Sequence, residues 1–183
     1  DVAYRVLPFG LRAFVRLLRP EWARGLMIMA SERYIPGMWS AMLCRKRYIQ
    51  ERLSESVGQI EAVVNLGAGM DTLPYRLPAL SGIPVWEVDL PENIRAKEAG
   101  LRRVFEALPA NVTLVPIDFD RQDLSAVLES HGYSDGLRSF FIWEGVTQYL
   151  SEAGLRSTFD FLSGAAAGSR LAFFFGSCFP SCR

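Results

Sequence analysis

Five short apolar segments, separated by helix-like segments, constrain the fold more than any other feature of this sequence. Each is almost continuously apolar, as is typical of parallel strands that helices cover on both faces. Strands that alternate with helices predict an α/β fold with right-handed crossovers and a doubly wound, Rossmann-like parallel sheet. We expect the strand order 3-2-1-4-5. The predicted strands are EAVVNL (61–66), PVWEVD (84–89), VTLVP (112–116), RSFFIW (138–143) and SRLAFFF (169–175).

The chain before the first strand has a helical pattern. Apolar residues recur there at the spacing of one helix face, at Leu11, Phe14, Val15 and Leu18. Pro20 ends that run, and a second long helix over 38–53 stops near Gly58. We therefore divide the chain into an N-terminal helical cap, residues 1–57, and a Rossmann-like domain, residues 58–183, whose ligand the motifs below indicate. Arginines interleave with the apolar residues, which is also typical of a membrane-surface helix. The favoured interpretation is a cap over the crevice at the carboxyl ends of the strands, where doubly wound sheets bind ligands.

Composition excludes several classes of protein. The 20 basic and 20 acidic residues balance, so we expect no nucleic-acid partner. No apolar run approaches the roughly 20 residues that cross a bilayer, so no membrane span is predicted. Cys44, Cys178 and Cys182 have no metal-ligand spacing and His131 is the only histidine, which predicts no metal site and a cytoplasmic protein with reduced thiols.

A glycine turn follows the first strand. Gly67 and Gly69 let the backbone turn sharply and approach a ligand without a Cβ in the way. A dinucleotide-binding turn needs a third small residue where this chain has Thr72. Asp71 also puts a carboxylate near the next helix start, where a diphosphate would bind. Both features disfavour a phosphate ligand, and a simple tight turn remains the alternative.

Acidic residues end the second and third predicted strands. Asp89 lies twenty-two residues after Gly67, close to the spacing at which a carboxylate accepts both ribose hydroxyls. Asp118 would lie beside it and could accept a hydrogen bond from an adenine amino group, while Phe119 could pack on the base. This pattern favours a nucleoside without a diphosphate, such as S-adenosyl-L-methionine (SAM). For Asp89, a solvated residue at a strand end remains the alternative.

The fourth predicted strand runs into WEGVTQYL, and its neighbour in the sheet is the first strand. Glu144 would therefore face the same crevice, where a carboxylate suits the ammonium group or the sulfonium of SAM. The carboxylate of SAM needs a cation, preferably a bidentate one. Arg45 and Arg47, on the helix before the first strand, are the candidates, with a solvated basic face as the alternative.

Four motifs together resemble the leucine carboxyl methyltransferase-like family, and most closely its bacterial branch of SAM-dependent O-methyltransferases. The resemblance covers roughly residues 40–176, and the motifs occur in the family's order, each at a predicted strand end. They are VVNLGAGMDTLPYRL, WEVDLPENIRAKEAGL, VPIDFDRQDL and FIWEGVTQYLSEAGLRSTFDFLSGAAAGSRLAFFF.

The resemblance implies a class I methyltransferase fold, SAM as cofactor, and a role for each matching residue. The glycine turn would contact the methionine part of SAM, the two aspartates would hold the ribose and adenine, and the arginine would hold the SAM carboxylate. The glutamate would contact the cofactor too. The implied cofactor-binding residues are Arg45, Gly67, Ala68, Gly69, Asp89, Asp118, Phe119 and Glu144.

The implied reaction is methyl transfer to a carboxylate or hydroxyl oxygen of a small molecule or a protein. A carboxylate acceptor needs no general base, which agrees with the placement of His131 before the fourth strand, at the amino edge of the sheet. Catalytic residues are not identified.

Some positions depart from the family pattern, and these departures concern the substrate side. They are Leu73-Pro74 and Gln50-Glu51. Family members continue past the fifth strand with a substrate cover and two more strands, so we expect a chain truncated at its C-terminus. Two alternatives remain: an inactive or truncated protein that binds SAM or a partner, and an NAD(P)-dependent oxidoreductase.

Overall fold

The computed structural model describes residues 2–174, which contain one parallel sheet of five strands. Neighbouring strands follow the order β3-β2-β1-β4-β5, and every pair is parallel. The predicted fold class and strand order are confirmed, and the strand bounds agree to within one residue in the described part. Residue 175 of the fifth predicted strand, Cys178 and Cys182 lie outside it. The strands are Ala62–Leu66 (β1), Val85–Asp89 (β2), Val112–Pro116 (β3), Ser139–Glu144 (β4) and Arg170–Phe174 (β5).

Helices precede the sheet and connect its strands. The predicted helical segment before the first strand divides into four helices, and the fourth runs three residues beyond the predicted 38–53. Short 3₁₀ turns follow the fifth helix and β4, at Pro78–Leu80 and Thr147–Tyr149. The helices are Val2–Val6 (α1), Phe9–Leu17 (α2), Glu21–Tyr34 (α3), Met38–Ser56 (α4), Leu73–Arg76 (α5), Pro91–Leu101 (α6), Leu124–Ser130 (α7) and Glu152–Ser163 (α8).

Local signals place several helix ends. Pro91 occupies the first turn of α6, where its missing N–H would have no intrahelical partner. The Ser151 side chain caps α8 by accepting a hydrogen bond from Gly154 N–H, as predicted. Asp123 caps α7 in the same way. Gly58 follows α4 with φ +89°, a left-handed conformation that glycine adopts without a Cβ clash.

The sheet separates two hydrophobic clusters. β1, β2 and β4 are buried on both faces, which explains their nearly continuous apolar sequences. One face packs against α7 and α8, and the other packs against α4 and the segment after β1. Buried members of the first cluster include Val64, Leu66, Trp86, Phe141 and Trp143. Those of the second include Ile49, Leu53, Val63, Val85 and Ile142.

The N-terminal helices leave many large apolar side chains exposed. Phe9, Trp22 and Tyr34 are each at least three-quarters exposed. α1 contacts α6, and α3 contacts α4. The division of the chain into a cap and a cofactor-binding domain stays a prediction. None of the helices in the described residues combines the length and hydropathy needed to cross a membrane.

Candidate functional site

The turn after β1 depends on its glycines. Gly67 and Gly69 have φ values of +75° and +45°. A Cβ on Gly67 would overlap the side chain of Val146, which follows β4. Gly67 N–H and Ala68 N–H both donate to the carbonyl oxygen of Val88, at 2.7 and 3.0 Å. The backbone of this turn therefore lies tightly between the ends of β2 and β4.

Asp89 ends β2 against this turn and is 7% exposed. Its Oδ2 accepts a hydrogen bond from Gly69 N–H at 2.6 Å. Its Oδ1 accepts from Leu90 N–H and from Asn93 Nδ2, both at 2.7 Å. The structure thus brings the predicted carboxylate and the predicted glycine turn into direct contact at the carboxyl edge of the sheet. Binding of a ribose by Asp89 stays a prediction.

The loop after β3 carries the next two predicted residues. Pro116, the last residue of β3, is the register partner of Asp89, the last residue of β2. Asp118 therefore lies two residues past the level at which both strands end. The Asp118 carboxylate is 38% exposed and lies 3.4 Å from Arg121 Nε. Phe119 is 6% exposed and belongs to the hydrophobic cluster of the α7–α8 face. Contacts of these two side chains with an adenine stay predictions.

Arg45 on α4 and Glu144 at the end of β4 form an ion pair at the same edge of the sheet. Arg45 Nε lies 2.5 Å from Glu144 Oε1, and the two side chains are 21% and 7% exposed. Both atoms are buried. Their contact is an ion pair, since the two groups are not aligned for a hydrogen bond and neither atom has another hydrogen-bond partner among the described residues. Arg47, the other candidate, is exposed and pairs with Glu51 on its own helix. The structure therefore separates the two arginines and leaves Arg45 at the site.

Sequence reasoning missed the role of Lys46 in this cluster. Lys46 Nζ lies 3.0 Å from Asp71 Oδ2 and 3.1 Å from Glu144 Oε2, so it links the turn after β1 to the end of β4. Asp71 Oδ1 also accepts a hydrogen bond from Leu73 N–H at the start of α5. Two cations on α4 thus face two carboxylates from the sheet edge.

Charge and hydrogen bonding shift the pKa values of Asp71 and Lys46. Burial alone would raise the pKa of Asp71, but the charge and hydrogen bond of Lys46 outweigh it and hold that pKa below its usual value. Burial likewise opposes the change at Lys46, where Asp71 and then Glu144 raise the pKa. Both shifts favour the charged forms, so the pair stabilises the fold while both groups are ionised.

We expect Lys46→Met to destabilise the fold by an amount that depends on pH. The Asp71 contribution is present above about pH 4 and is lost as pH falls through its lowered folded pKa. The Lys46 contribution is present below about pH 10 and is lost as pH rises through its raised folded pKa. Urea unfolding of wild type and variant should therefore differ most at neutral pH. Arg47→Met controls for the lost charge, and a difference that persists unchanged at pH 2 would contradict this explanation.

A second polar cluster lies beneath the glycine turn. Lys97 Nζ on α6 is 2.6 Å from Glu87 Oε1 on β2, and both side chains are fully buried. The Tyr75 hydroxyl donates to Glu87 Oε2 at 2.5 Å. Burial raises the pKa of Glu87, against the opposing effect of Lys97. It also raises the pKa of Tyr75, and Glu87 adds to that shift.

Asn65 adds a buried polar group to the same side of the sheet. It is 4% exposed, and it is the register partner of both Glu87 on β2 and Ile142 on β4. Its Nδ2 has no hydrogen-bond partner among residues 2–174. An amide donor therefore lies unsatisfied in β1, two residues before Gly67.

Two other polar side chains lie away from the edge or in solvent. His131 ends α7, and its carbonyl oxygen accepts a hydrogen bond from Trp86 Nε1 near the start of β2. This confirms the expected position at the amino edge of the sheet. Tyr149 is 76% exposed in the turn after β4.

Comparisons with known proteins agree with this architecture. The chain is 35% identical over 140 residues to a protein of Mycobacterium marinum named as an SAM-dependent methyltransferase, covering 75% of this chain and 46% of that protein. It is 32% identical over 169 residues to one of the same name from Mycobacterium avium, covering 91% and 55%. The chain thus spans about half the length of these relatives. A crystal structure named as a methyltransferase from Thermobifida fusca shares the fold, with a TM-score of 0.55 and 17% identity, covering 83% of this chain and 59% of that one.

The family comparison covers most of the chain. A model of the leucine carboxyl methyltransferase family matches residues 12–163. This match includes the glycine turn, Asp89, the loop after β3 and the ion pair of Arg45 with Glu144. The chain therefore belongs to the leucine carboxyl methyltransferase family.

Proposed function

We propose that this chain binds SAM at the carboxyl edge of the sheet and is part of an enzyme that methylates an oxygen atom of a carboxylate or hydroxyl group. One observation carries the choice of ligand. The N–H groups of Gly67, Ala68 and Gly69 all donate within the protein, the last of them to Asp89. A turn that binds a diphosphate directs such N–H groups at the ligand. This turn instead uses them within the protein, and Asp71 puts a carboxylate at the start of α5, where a diphosphate would bind. Both features favour a nucleoside without a diphosphate over NAD(P).

The chemistry of the site suits the two ends of SAM. A carboxylate has about four acceptor positions, and Asp89 already uses three, so one remains for a ribose hydroxyl. Of the three donors only Asn93 is a side chain, and its rotation would free a second position. Arg45 offers five N–H donors and would hold the methionine carboxylate of SAM. Glu144 would attract its ammonium group. In the structure these two side chains pair with each other, and SAM binding would exchange that ion pair for contacts with its carboxylate and ammonium groups.

The adenine would lie toward the loop after β3. We propose that Asp118 accepts from its amino group and that Phe119 packs against the base. The turn of Gly67, Ala68 and Gly69 would contact the methionine part of the cofactor, where a Cβ at the first position has no room.

When bound, SAM supplies a methyl group whose bond to sulfur breaks as a bond to the acceptor oxygen forms, and the electron pair returns to sulfur. The task of the chain is to hold the methyl donor and the acceptor oxygen in line, about 3 Å apart. Positioning of this kind lowers the activation free energy by on the order of 7–11 kcal/mol. An ionised carboxylate acceptor needs no proton removed, in agreement with the distant position of His131. The acceptor would be a small molecule or a protein carboxylate.

We expect Arg45→Lys to weaken SAM binding about tenfold, because lysine keeps the charge but loses the two-pronged hydrogen bond to a carboxylate. Isothermal titration of the 183-residue chain with SAM measures the effect. Arg47→Lys is the matched control, since Arg47 pairs with Glu51 on the exposed side of the same helix.

The same titration tests the proposed ligand against its alternative. We expect SAM and S-adenosylhomocysteine to bind wild type and the Arg47→Lys variant equally, and NADH to bind neither. Binding of NADH without SAM would contradict the proposal and favour an oxidoreductase. If the Arg45→Lys variant bound SAM as tightly as wild type, the proposed contact of Arg45 with the SAM carboxylate would be wrong, and SAM would remain the ligand.

A further inference from the structure

The buried ion pair behind the glycine turn reaches the turn itself. Besides its 2.6 Å contact with Glu87, Lys97 Nζ donates to the carbonyl oxygen of Ala68 at 3.5 Å. That oxygen also accepts from Asp71 N–H at 2.9 Å. Lys97 therefore connects α6 and β2 to the middle residue of the turn.

This arrangement is an expensive way to fill a core. Removing two charges from water costs several kcal/mol for each ion, and well-packed apolar residues of similar volume are often as stable or more so. Lys97 and Glu87 are both fully buried, and Tyr75 completes the network with its hydrogen bond to Glu87. General stability is thus a poor explanation for these three polar side chains. Their shared feature is that they meet directly beneath the turn.

The hydrogen bonds of the turn are divided between two sets of groups. Its N–H groups donate to Val88 and Asp89 at the end of β2. Its central carbonyl, that of Ala68, is held by Lys97 and by Asp71 N–H. Without Lys97, the peptide unit between Ala68 and Gly69 would keep two hydrogen bonds, that of its carbonyl with Asp71 N–H and that of Gly69 N–H with Asp89. Because Gly69 has no Cβ, a peptide unit held by fewer bonds would fluctuate more easily there.

We propose that Lys97 is a positioning residue for cofactor binding: paired with Glu87, it fixes the Ala68 carbonyl and thereby presets the turn of Gly67, Ala68 and Gly69. This inference rests on the proposed function, since it assigns the preset turn to SAM. A turn that is already ordered loses less conformational entropy when a ligand binds, and this raises affinity. Lys97 acts through the turn and is not a catalytic residue.

Three variants test the proposal. Lys97→Met removes the amine but leaves Glu87 buried and unpaired, which can prevent folding. The double variant Lys97→Met/Glu87→Gln removes both charges and leaves an acceptor for the Tyr75 hydroxyl. The double variant is therefore the decisive one, and Glu87→Gln alone shows what loss of the carboxylate charge does while the amine remains.

Two measurements separate positioning from general stability. Backbone amide hydrogen exchange of residues 67–72, compared with α7, reports on the turn and needs no ligand. We expect exchange at 67–72 to become about tenfold faster in the double variant while α7 is unchanged. Isothermal titration should show SAM affinity reduced on the order of tenfold to a hundredfold, the usual effect of losing a hydrogen bond from a charged group.

The possible outcomes are distinct. Equal acceleration of exchange in both segments, or none, would overturn the positioning role, because Lys97 would then be merely structural. Unchanged SAM affinity would overturn it as well and leave SAM as the ligand. Selective loosening of residues 67–72 in a chain whose wild type does not bind SAM would support the preset turn and contradict the proposed cofactor.

Discussion

Gly67→Ala is expected to unfold more easily than wild type and to lose SAM binding. The new methyl group would overlap Cγ2 of Val146 and lie 3.0 Å from its Cβ, and the residue would keep a φ of +75°. A left-handed conformation costs a non-glycine residue about 1–2 kcal/mol, and overpacking adds about 1–3 kcal/mol. The combined loss of about 2–5 kcal/mol corresponds to a melting temperature lower by roughly 5–15 °C for a chain of this size. Differential scanning fluorimetry and SAM titration measure both effects.

Gly58→Ala is the matched control for this substitution. Gly58 has a φ of +89°, but nothing lies within 4 Å of where its Cβ would be. The control should therefore show only the conformational penalty, about 1–2 kcal/mol, and bind SAM normally. If the two variants lose equal stability and both bind SAM, then Val146 does not confine the turn, and the close packing of β1 and β4 at this edge is unimportant for binding.

Asp89→Asn is expected to weaken SAM binding about a hundredfold, which is about 2.7 kcal/mol. Three donors converge on this carboxylate, from Gly69 N–H, Leu90 N–H and the Asn93 amide. An asparagine has one acceptor oxygen, so its NH₂ group must face at least one of these donors. The turn would lose a bond on one side, and the ribose would lose its charged acceptor. The unsatisfied donor should also lower the free energy of unfolding by about 1–3 kcal/mol.

The control for this variant makes the same chemical change elsewhere. Asp123→Asn replaces an exposed carboxylate that caps α7 by accepting from Ala126 N–H. Asparagine is also a good N-cap, so both stability and SAM affinity should stay near wild type. Normal SAM affinity in Asp89→Asn would contradict the proposed ribose contact, whatever happens to its stability.

The sheet could be predicted from sequence because its signals are local. The strands of a sheet covered on both faces are continuous apolar runs, and EAVVNL and PVWEVD have this property. Strand order then follows from the doubly wound pattern, and all strands of a parallel sheet end at one edge. Gly67, Asp89 and Glu144 could therefore be assigned to that edge without coordinates. The contact of Gly69 with Asp89 follows from the same rule.

The ionic contacts could not be predicted in the same way, because they join elements that are distant in sequence. Lys46 reaches Asp71 from α4, and Lys97 reaches Glu87 from α6. A signal for the second pair was nevertheless present. Glu87 lies inside an otherwise apolar strand, and Lys97 shares a helix face with Leu101. Both patterns predict burial, and since Lys and Glu are seldom buried unless they are paired, they indicate a buried ion pair.

Spacing alone also could not choose between neighbouring arginines. Arg45 and Arg47 are two residues apart, so they lie on different sides of α4. Only the packing of that helix against the sheet shows that Arg45 meets Glu144 and that Arg47 faces solvent. Phe119 is a related case. Its place at the sheet edge could be predicted from sequence, but its burial in the hydrophobic cluster could not.

A crystal structure of this chain with S-adenosylhomocysteine tests the central claim most directly. The account predicts the ribose hydroxyls within hydrogen-bond distance of the Asp89 carboxylate, the methionine carboxylate at Arg45, and the backbone of Gly67 to Gly69 against the methionine part. Density for the nucleoside away from this edge, or with its ribose far from Asp89, would contradict it.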